Sequence, residues 1–422
     1  MAATLTAPRA QLQLLEPHRK PKKVAILSTY PPRQCGIGTF AAELYKSLVH
    51  AAPDLELLVC AVDHQGLRYG GEVAAVLKQD DRAAYPKTAA GLAAAGVDAV
   101  LIQHEFGIYG GPDGAWITSF AAELASAGVP YLVTLHTVPG TPSRAQTGVL
   151  QQLCRRAAAV TVFTPTARRL AAAAGIGVDH FATIPHGAPA TLRSPRHRAR
   201  AAIRPEVAAA LETVENATVV STFGLVSVNK GLETAIAAVC DLARDLPDLR
   251  YLIAGATHPE VVHRHGEGYR QSLRELVEEL GATDRIQFLD FYLTEAEVAA
   301  VLARSTAFLT PYRSRDQISS GALTYALAAG CPVVSTSFFY AQDMLAGGAG
   351  LLAEPGDAQA YTEALRRMLT DHGHRSLAAD AAWAAGAELV WPVVARQIAD
   401  AIRAAAADEA RQSSPVVVPY QR

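Results

Sequence analysis

Four segments of the chain hold side chains whose types and spacing suit chemistry. The first is PPRQCGIGTF, in which Gly36, Gly38 and Ala41 satisfy G-x-G-x-x-A. Small residues in that pattern let backbone amides at a helix start approach a pyrophosphate. A Pro-rich stretch from Tyr30 to Cys35 separates these glycines from the preceding β-type run. That spacing counts against a nicotinamide-binding fingerprint, where the first glycine follows the strand almost at once. Cys35 reads as a small loop residue, because nothing beside it favours a thiolate. The second and third segments, QHEFGIYGGPDG and LHTVPG, each set a histidine, His104 or His136, just past an apolar run. Imidazole in such a place hydrogen-bonds hydroxyls or phosphates, titrates near neutrality, or is simply satisfied by neighbouring backbone. Glu105 acts as a base or fixes His104. No third histidine or carboxylate follows at ligand spacing, so no metal site is expected.

The fourth segment is split between FGLVSVNKG, ending at Gly231, and RSRDQISSGALTYALAAG, running from Arg313 to Gly330. Lys230 falls where a loop meets a helix, and the amides of Ser319, Ser320 and Gly321 open another helix. Helix-start amides combined with a lysine form a ready clamp for a diphosphate. Arg313 and Arg315 add charge. Taken singly, each of these residues also reads as an ordinary cap or a solvated cation.

The elements that must position these residues alternate between β and α. KVAILST, from Lys23 to Thr29, is followed by strand-like runs near Leu55 to Val62, Ala99 to Gln103, Tyr131 to Leu135, Val160 to Thr164 and Phe181 to Gly187, with Ala/Leu-rich helical stretches between the earlier ones. The rhythm breaks in a basic, Pro-containing stretch from Thr191 to Pro205, where the domain linker is expected. It restarts with ATVVSTF and continues through YLIAG, RIQFL, TAFLTP and PVVST. This pattern predicts an α/β protein of two Rossmann-like domains, each with a parallel sheet. The expected boundaries are a solvated arm over 1–22, a first domain over 23–190 and a second over 191–390. An amphipathic helix over 391–407 follows, with Val394, Ile398, Ala401 and Ile402 on one face, and then a loose tail over 408–422. Ligands of parallel sheets bind outside the carboxyl ends of the strands, where all four segments fall.

Composition narrows the partners. The 422 residues include 38 Lys plus Arg against 40 Asp plus Glu, a net charge of -2, so nothing in bulk draws the chain to nucleic acid or an anionic membrane. Half the residues are hydrophobic and 18% are charged, which fits an ordered globular protein. No run of about 18 apolar residues suggests a membrane span; the nearest, Gly321 to Val334, is broken by Gly330 and Pro332. The N-terminal residues lack the apolar core of a secretory signal, and the five scattered cysteines suggest neither a disulfide framework nor a thiolate metal site. A reducing cytoplasm is the expected location.

In chain order, these segments resemble the retaining glycosyltransferases of family 4 (group 1) with the GT-B fold, over nearly all of residues 23 to 407. The glycine loop with Gly36 and Gly38 is similar to the family's G-G-x-G loop beside the donor diphosphate. His136 matches the histidine that touches the donor sugar. GLVSVNKG, with Gly224, resembles G-R-L-x-x-x-K-G, making Lys230 the diphosphate lysine. ALAAGCPVVST resembles A-M-A-x-G-x-P-V-V-x-S, and the terminal helix resembles the one that crosses back to the first domain. The resemblance implies two domains facing a central cleft. It further implies metal-independent transfer of a hexose from a nucleoside diphosphate sugar, UDP- or GDP-linked, to a hydroxyl acceptor, without a cofactor. The second domain would take the donor; His104 and Glu105 of the first would face the acceptor.

Two departures stand out. Where the family has two glutamates eight positions apart, one facing the hexose and the other the ribose, this chain has Gln317 and Tyr325. Asp316, one position away, is the candidate substitute for the first, and Gln317 can still hydrogen-bond hydroxyls. Where the family has arginine before its lysine, Leu225 stands, with Arg313 or Arg315 as the candidate replacement charge. D-Q-I-S-S-G, H-E-F-G-I-x-G-G and A-T-H-P together resemble a bacterial subgroup of the family. The lost glutamates leave a second expectation open, a catalytically silent homologue that binds a sugar nucleotide and serves as partner or scaffold. A dehydrogenase or a GT-B epimerase finds less support.

Overall fold

A computed structural model of the chain describes residues 22–177, 181–194 and 203–412. Most of the expected N-terminal arm, part of the expected linker and the end of the expected tail lie outside the described residues.

Two parallel sheets dominate. The first holds β1 (Lys23–Ser28), β2 (Glu56–Asp63), β3 (Val73–Lys78), β4 (Ala99–His104), β5 (Tyr131–Leu135), β6 (Ala159–Val162) and β7 (Phe181–Thr183), in the order β3-β2-β1-β4-β5-β6-β7. The second holds β8 (Thr218–Phe223), β9 (Leu249–Ala254), β10 (Ile286–Leu289), β11 (Ala307–Thr310), β12 (Val333–Thr336) and β13 (Gly350–Ala353), in the order β10-β9-β8-β11-β12-β13. Helices cover both faces, so the central strands are buried on both sides and read as continuous apolar runs. In each sheet the strand order reverses beside the first strand, β1 or β8, which places a crevice at its carboxyl end. Both sheets therefore aim their loops at a shared cleft.

Two strands are absent from the sequence expectation. β3 sits at a sheet edge with three exposed side chains among its six, and its alanines, leucine and lysine dilute the β signal of its two valines. β13 is a four-residue edge strand whose Gly350 sits tight against the Val333 carbonyl.

The final helix, Trp391–Gln412, packs on Gly36–Ala51 of the first sheet's layer. Val394, Ile398 and Ile402 are buried in one cluster with Phe40 and Leu44, a burial that stabilises by about 1.5–3 kcal/mol per side chain. The crossing is pinned by backbone bonds: Ala188 N–H donates to the Leu389 carbonyl, and Trp391 N–H donates to the Ala188 carbonyl. One apolar cluster runs from Ile26 and Phe40 through this helix to Phe308 and Leu323 in the second half.

Candidate active site

At the end of β1 the chain makes a loop and enters the helix Gly36–Ala51. Cys35 caps this helix in an extended conformation without a side-chain hydrogen bond to its amides. Gly36 is exposed, with nothing near the position a Cβ would take, and Gly38 is buried at ordinary contact distance from Thr29, Tyr30 and Arg33. The bare helix start is thus open on the side of Gly36, which suits an anion.

The histidines fare differently. His104 is fully buried, lies flat against Tyr109 at 6.2 Å and edge-on to Phe106 at 5.0 Å, and neither ring nitrogen has a partner. Burial pulls its imidazole down to about 4, so it is neutral. It presents no surface to an acceptor, which corrects the expectation for this residue. Glu105 is turned onto its own loop and the one after β5, accepting from the Phe106 amide at 2.9 Å and from the Thr137 hydroxyl. His136 is also buried. Its Nε2–H donates to Gln103 Oε1 at 2.9 Å, and it meets the edges of Phe40 at 4.8 Å and Phe163 at 5.0 Å. A further histidine that the sequence reading passed over completes this group. His186, in IPHG after β7, donates from Nδ1 to the Gly187 carbonyl at 2.7 Å and packs on Phe40 at 4.9 Å. The available signal was its place just past a short strand, the same cue that singled out His104 and His136.

In the second half, β8 and β9 end in Gly224 and Gly255. A Cβ on Gly255, at φ +151°, would lie 1.8 Å from the Gly224 carbonyl oxygen, so the strand ends approach as only glycine allows. Lys230 closes a short turn ahead of Gly231, whose φ is +58° and whose Cβ would lie 2.2 Å from the Pro311 carbonyl oxygen. That turn lays Lys230 Nζ over the Tyr312 ring, 4.0 Å from its centre. Among the described residues no carboxylate pairs with Lys230, which lines a pocket with Gly224 and Leu225.

The remaining expected donor residues are largely engaged within the protein. Arg313 pairs with Glu233 and Arg315 with Glu354, both at 3.0 Å and exposed, so neither guanidinium stands free as replacement charge in this conformation. The Asp316 carboxylate abuts Gly140 of the opposite loop. Gln317 Nε2 donates to the Ser319 carbonyl at 2.8 Å, and the Ser319 hydroxyl donates to the His136 carbonyl at 3.0 Å, joining the two halves. Ser320 caps the helix Gly321–Ala328 through the Leu323 amide, and a Cβ on Gly321 would lie 3.3 Å from the His186 ring. Tyr325 is not open to a ligand; its hydroxyl donates to Glu43, which also receives Trp391 Nε1–H. Burial pushes the Glu43 carboxyl up to about 7, against the opposing effect of those two hydrogen bonds.

Thr39 meets Tyr292 across the crevice, and Asp343 accepts from the Thr166 amide at 2.9 Å and hydroxyl at 2.7 Å. The structure thus brings His136, Ser319 and Gly321 together, keeps Lys230 unpaired at the end of β8, and closes the cleft through contacts the sequence did not announce. Among the described residues no group of three or more His, Cys, Asp or Glu is arranged to hold a metal ion. None of their helices is long and apolar enough to cross a membrane.

Comparison with known proteins adds three findings. Residues 217–371 match the family described as Glycosyl transferases group 1. Over 191 residues, 44% of this chain, the sequence is 29% identical to a D-inositol 3-phosphate glycosyltransferase of Corynebacterium urealyticum, covering 43% of that protein. Over 269 residues, 58% of this chain, it is 29% identical to a 2-deoxystreptamine glucosyltransferase of Streptomyces kanamyceticus, covering 62% of it. The matches thus take in roughly half of each curated relative. Among solved structures, the Anabaena protein Alr3699/HepE in complex with UDP-glucose superposes with a TM-score of 0.69 and 18% identity, over 90% of this chain and 98% of that one. At that identity the likeness is one of fold, and the fold is GT-B.

Proposed function

We propose, for a chain whose residues 217–371 match the group 1 glycosyl transferases and whose two sheets form a GT-B frame, transfer of a sugar from a nucleotide donor to a hydroxyl acceptor in the cleft. The observation that supports it most is Lys230, a cation without a carboxylate partner at the end of β8, with the uncapped helix start at Gly36 supplying amides from the first domain. The donor is a UDP- or GDP-hexose, the reaction retains anomeric configuration, and neither metal nor cofactor takes part.

Catalysis is electrostatic. As the bond to the sugar loosens, negative charge grows on the leaving diphosphate, and Lys230 with the amides near Gly38 and Ser320 stabilises it, each donor contributing about 3 kcal/mol. The leaving phosphate takes the acceptor proton on the same face, so no protein nucleophile is needed. His136 orients the sugar, and closure of the two halves expels water. Lys230→Ala tests the clamp: turnover of a UDP- or GDP-sugar falls at least a hundredfold, whereas a loss of only a few-fold removes Lys230 from the mechanism.

One observation favours a second reading. Gln317 and Tyr325, which stand where the resembled family has carboxylates, are both tied up by protein partners. A silent sugar-nucleotide-binding homologue would bind UDP- or GDP-sugars in calorimetry yet turn over none of them in any acceptor mixture. Donor hydrolysis or transfer by the wild-type chain eliminates it.

A further inference from the structure

Polar side chains beneath the first helix yield an inference that rests on the sugar-transfer reading and adds a residue to it. The register sets Leu27 of β1 beside Ile102 of β4 and Gln103 beside Thr134 of β5. By alternation, Ser28, Gln103 and His136 reach the same face, the one on which Ile26, Leu101 and Leu132 enter the core under Gly36–Ala51.

His136 is held through its backbone and its ring, yet keeps 3% of its surface exposed where His104 keeps none. Its backbone N–H donates to the His104 carbonyl at 2.9 Å, its carbonyl accepts from Ser319, and Phe40 and Phe163 close on the ring. The ring's one polar side-chain partner among the described residues is Gln103, whose Oε1 lies 2.9 Å from Nε2. An amide oxygen only accepts, so the proton sits on Nε2 and Nδ1 keeps its lone pair. The opposite end of the Gln103 amide is buried without a partner, as is the neighbouring Ser28 hydroxyl. Burying an amide half-satisfied costs stability, and the one side-chain contact Gln103 makes in exchange is to His136.

We infer that Gln103 is a positioning residue, fixing His136 as the Nε2–H tautomer so that Nδ1 accepts a hydrogen bond from a hydroxyl of the donor sugar. The charged alternative is disfavoured by what faces the ring. His104 and His186 are neutral imidazoles, and the Glu105 carboxylate is turned onto Thr137 and the Phe106 amide. Burial likewise holds His136 well below its ordinary value, so the tautomer and not a charge is what Gln103 sets.

The test is a two-bond nitrogen–proton correlation spectrum of the full chain labelled with nitrogen-15 histidine, from pH 5 to 8, with His136→Asn assigning the ring. The wild type shows the Nε2–H form throughout. Gln103→Leu yields a mixture of tautomers, and Gln103→Glu raises the titration midpoint by about one to three pH units, bringing it toward the observed range. A wild-type ring in the Nδ1–H form overturns the inference, and that spectrum decides the matter even where a variant does not fold. So does an unchanged tautomer in a folded Gln103→Leu. Titration of the same samples adds a readout that a merely structural role would not move. Gln103→Leu weakens UDP-glucose about three- to tenfold and leaves UDP unchanged; equal losses for both ligands remove the positioning role. A wild-type chain that binds neither UDP- nor GDP-sugars overturns the transfer reading and Nδ1's part in it, while the tautomer stands or falls on the spectrum.

Discussion

Glu43 shows how much of this cleft depends on single side chains. Its carboxyl sits at about 7 in the folded chain against an ordinary 4.5, so the native state holds the proton more tightly than the unfolded one. A raised acid of this kind favours folding at low pH and loses that contribution as pH climbs from about 4.5 to about 7. The difference amounts to roughly 3 kcal/mol at pH 8. Glu43→Gln can still accept from Trp391 and donate to Tyr325. It is therefore expected to match the wild type in urea denaturation near pH 4.5 and to exceed its stability at pH 8, and equal stability at both pH values would refute the assignment. Comparing variant with wild type matters because His104 and His186 titrate the other way. Both are depressed to about 4, and their contribution is lost as pH falls from about 6.5 through about 4. The place of Lys230 where a loop meets a helix was legible in the sequence. Glu43 was not: a glutamate in mid-helix looks like part of a solvated face, and only the approach of Tyr325 and Trp391 from distant parts of the chain gives it another role. The engaged states of Arg313, Arg315 and Tyr325 were hidden for the same reason, since their partners lie 39 to 282 positions away by contact and not by motif.

Elements divide the glycines into two kinds. Gly36 opens the first helix with empty space where a Cβ would be, so Gly36→Ala is expected to fold as well as wild type, gaining at most about 1 kcal/mol from reduced backbone entropy loss. If the helix start receives the donor's diphosphate, the same change weakens UDP-sugar binding severalfold by calorimetry; unchanged affinity would detach that helix from the site. Gly231→Ala is a different case, because positive φ and the Pro311 carbonyl both oppose a side chain. It is expected to cost at least about 2 kcal/mol in denaturant titration and to displace Lys230, so activity falls with stability. Alternation of β and α was plain from the residue pattern, and the buried central strands stood out as apolar runs. β3 and β13 did not, since edge strands with alanine, glycine or lysine are held by a neighbour's backbone more than by their own side chains.

At the scale of the whole molecule, one apolar cluster draws on both sheets, so the two halves are expected to unfold together. Trp391 sits at its seam, 3% exposed, with Phe40 at 5.1 Å and Gly187 pressed against its ring. Trp391→Ala is expected to cost about 3–5 kcal/mol, and calorimetry of the variant should resolve two unfolding transitions where the wild type gives one. A single transition in both would mean that the halves are coupled elsewhere, through Asp343 or Ser319. That the last helix has an apolar face to bury was legible from its spacing, and its return to the first domain was implied by the family resemblance, but its anchoring through one carboxylate was not. That anchoring has a bearing on recombination between relatives. A hybrid grafting the second half of this chain onto a foreign first half would import Tyr325 and Trp391 without the acid that both address. Such a graft should assemble poorly unless residue 43 travels with it, whatever specificity the exchange was meant to transplant.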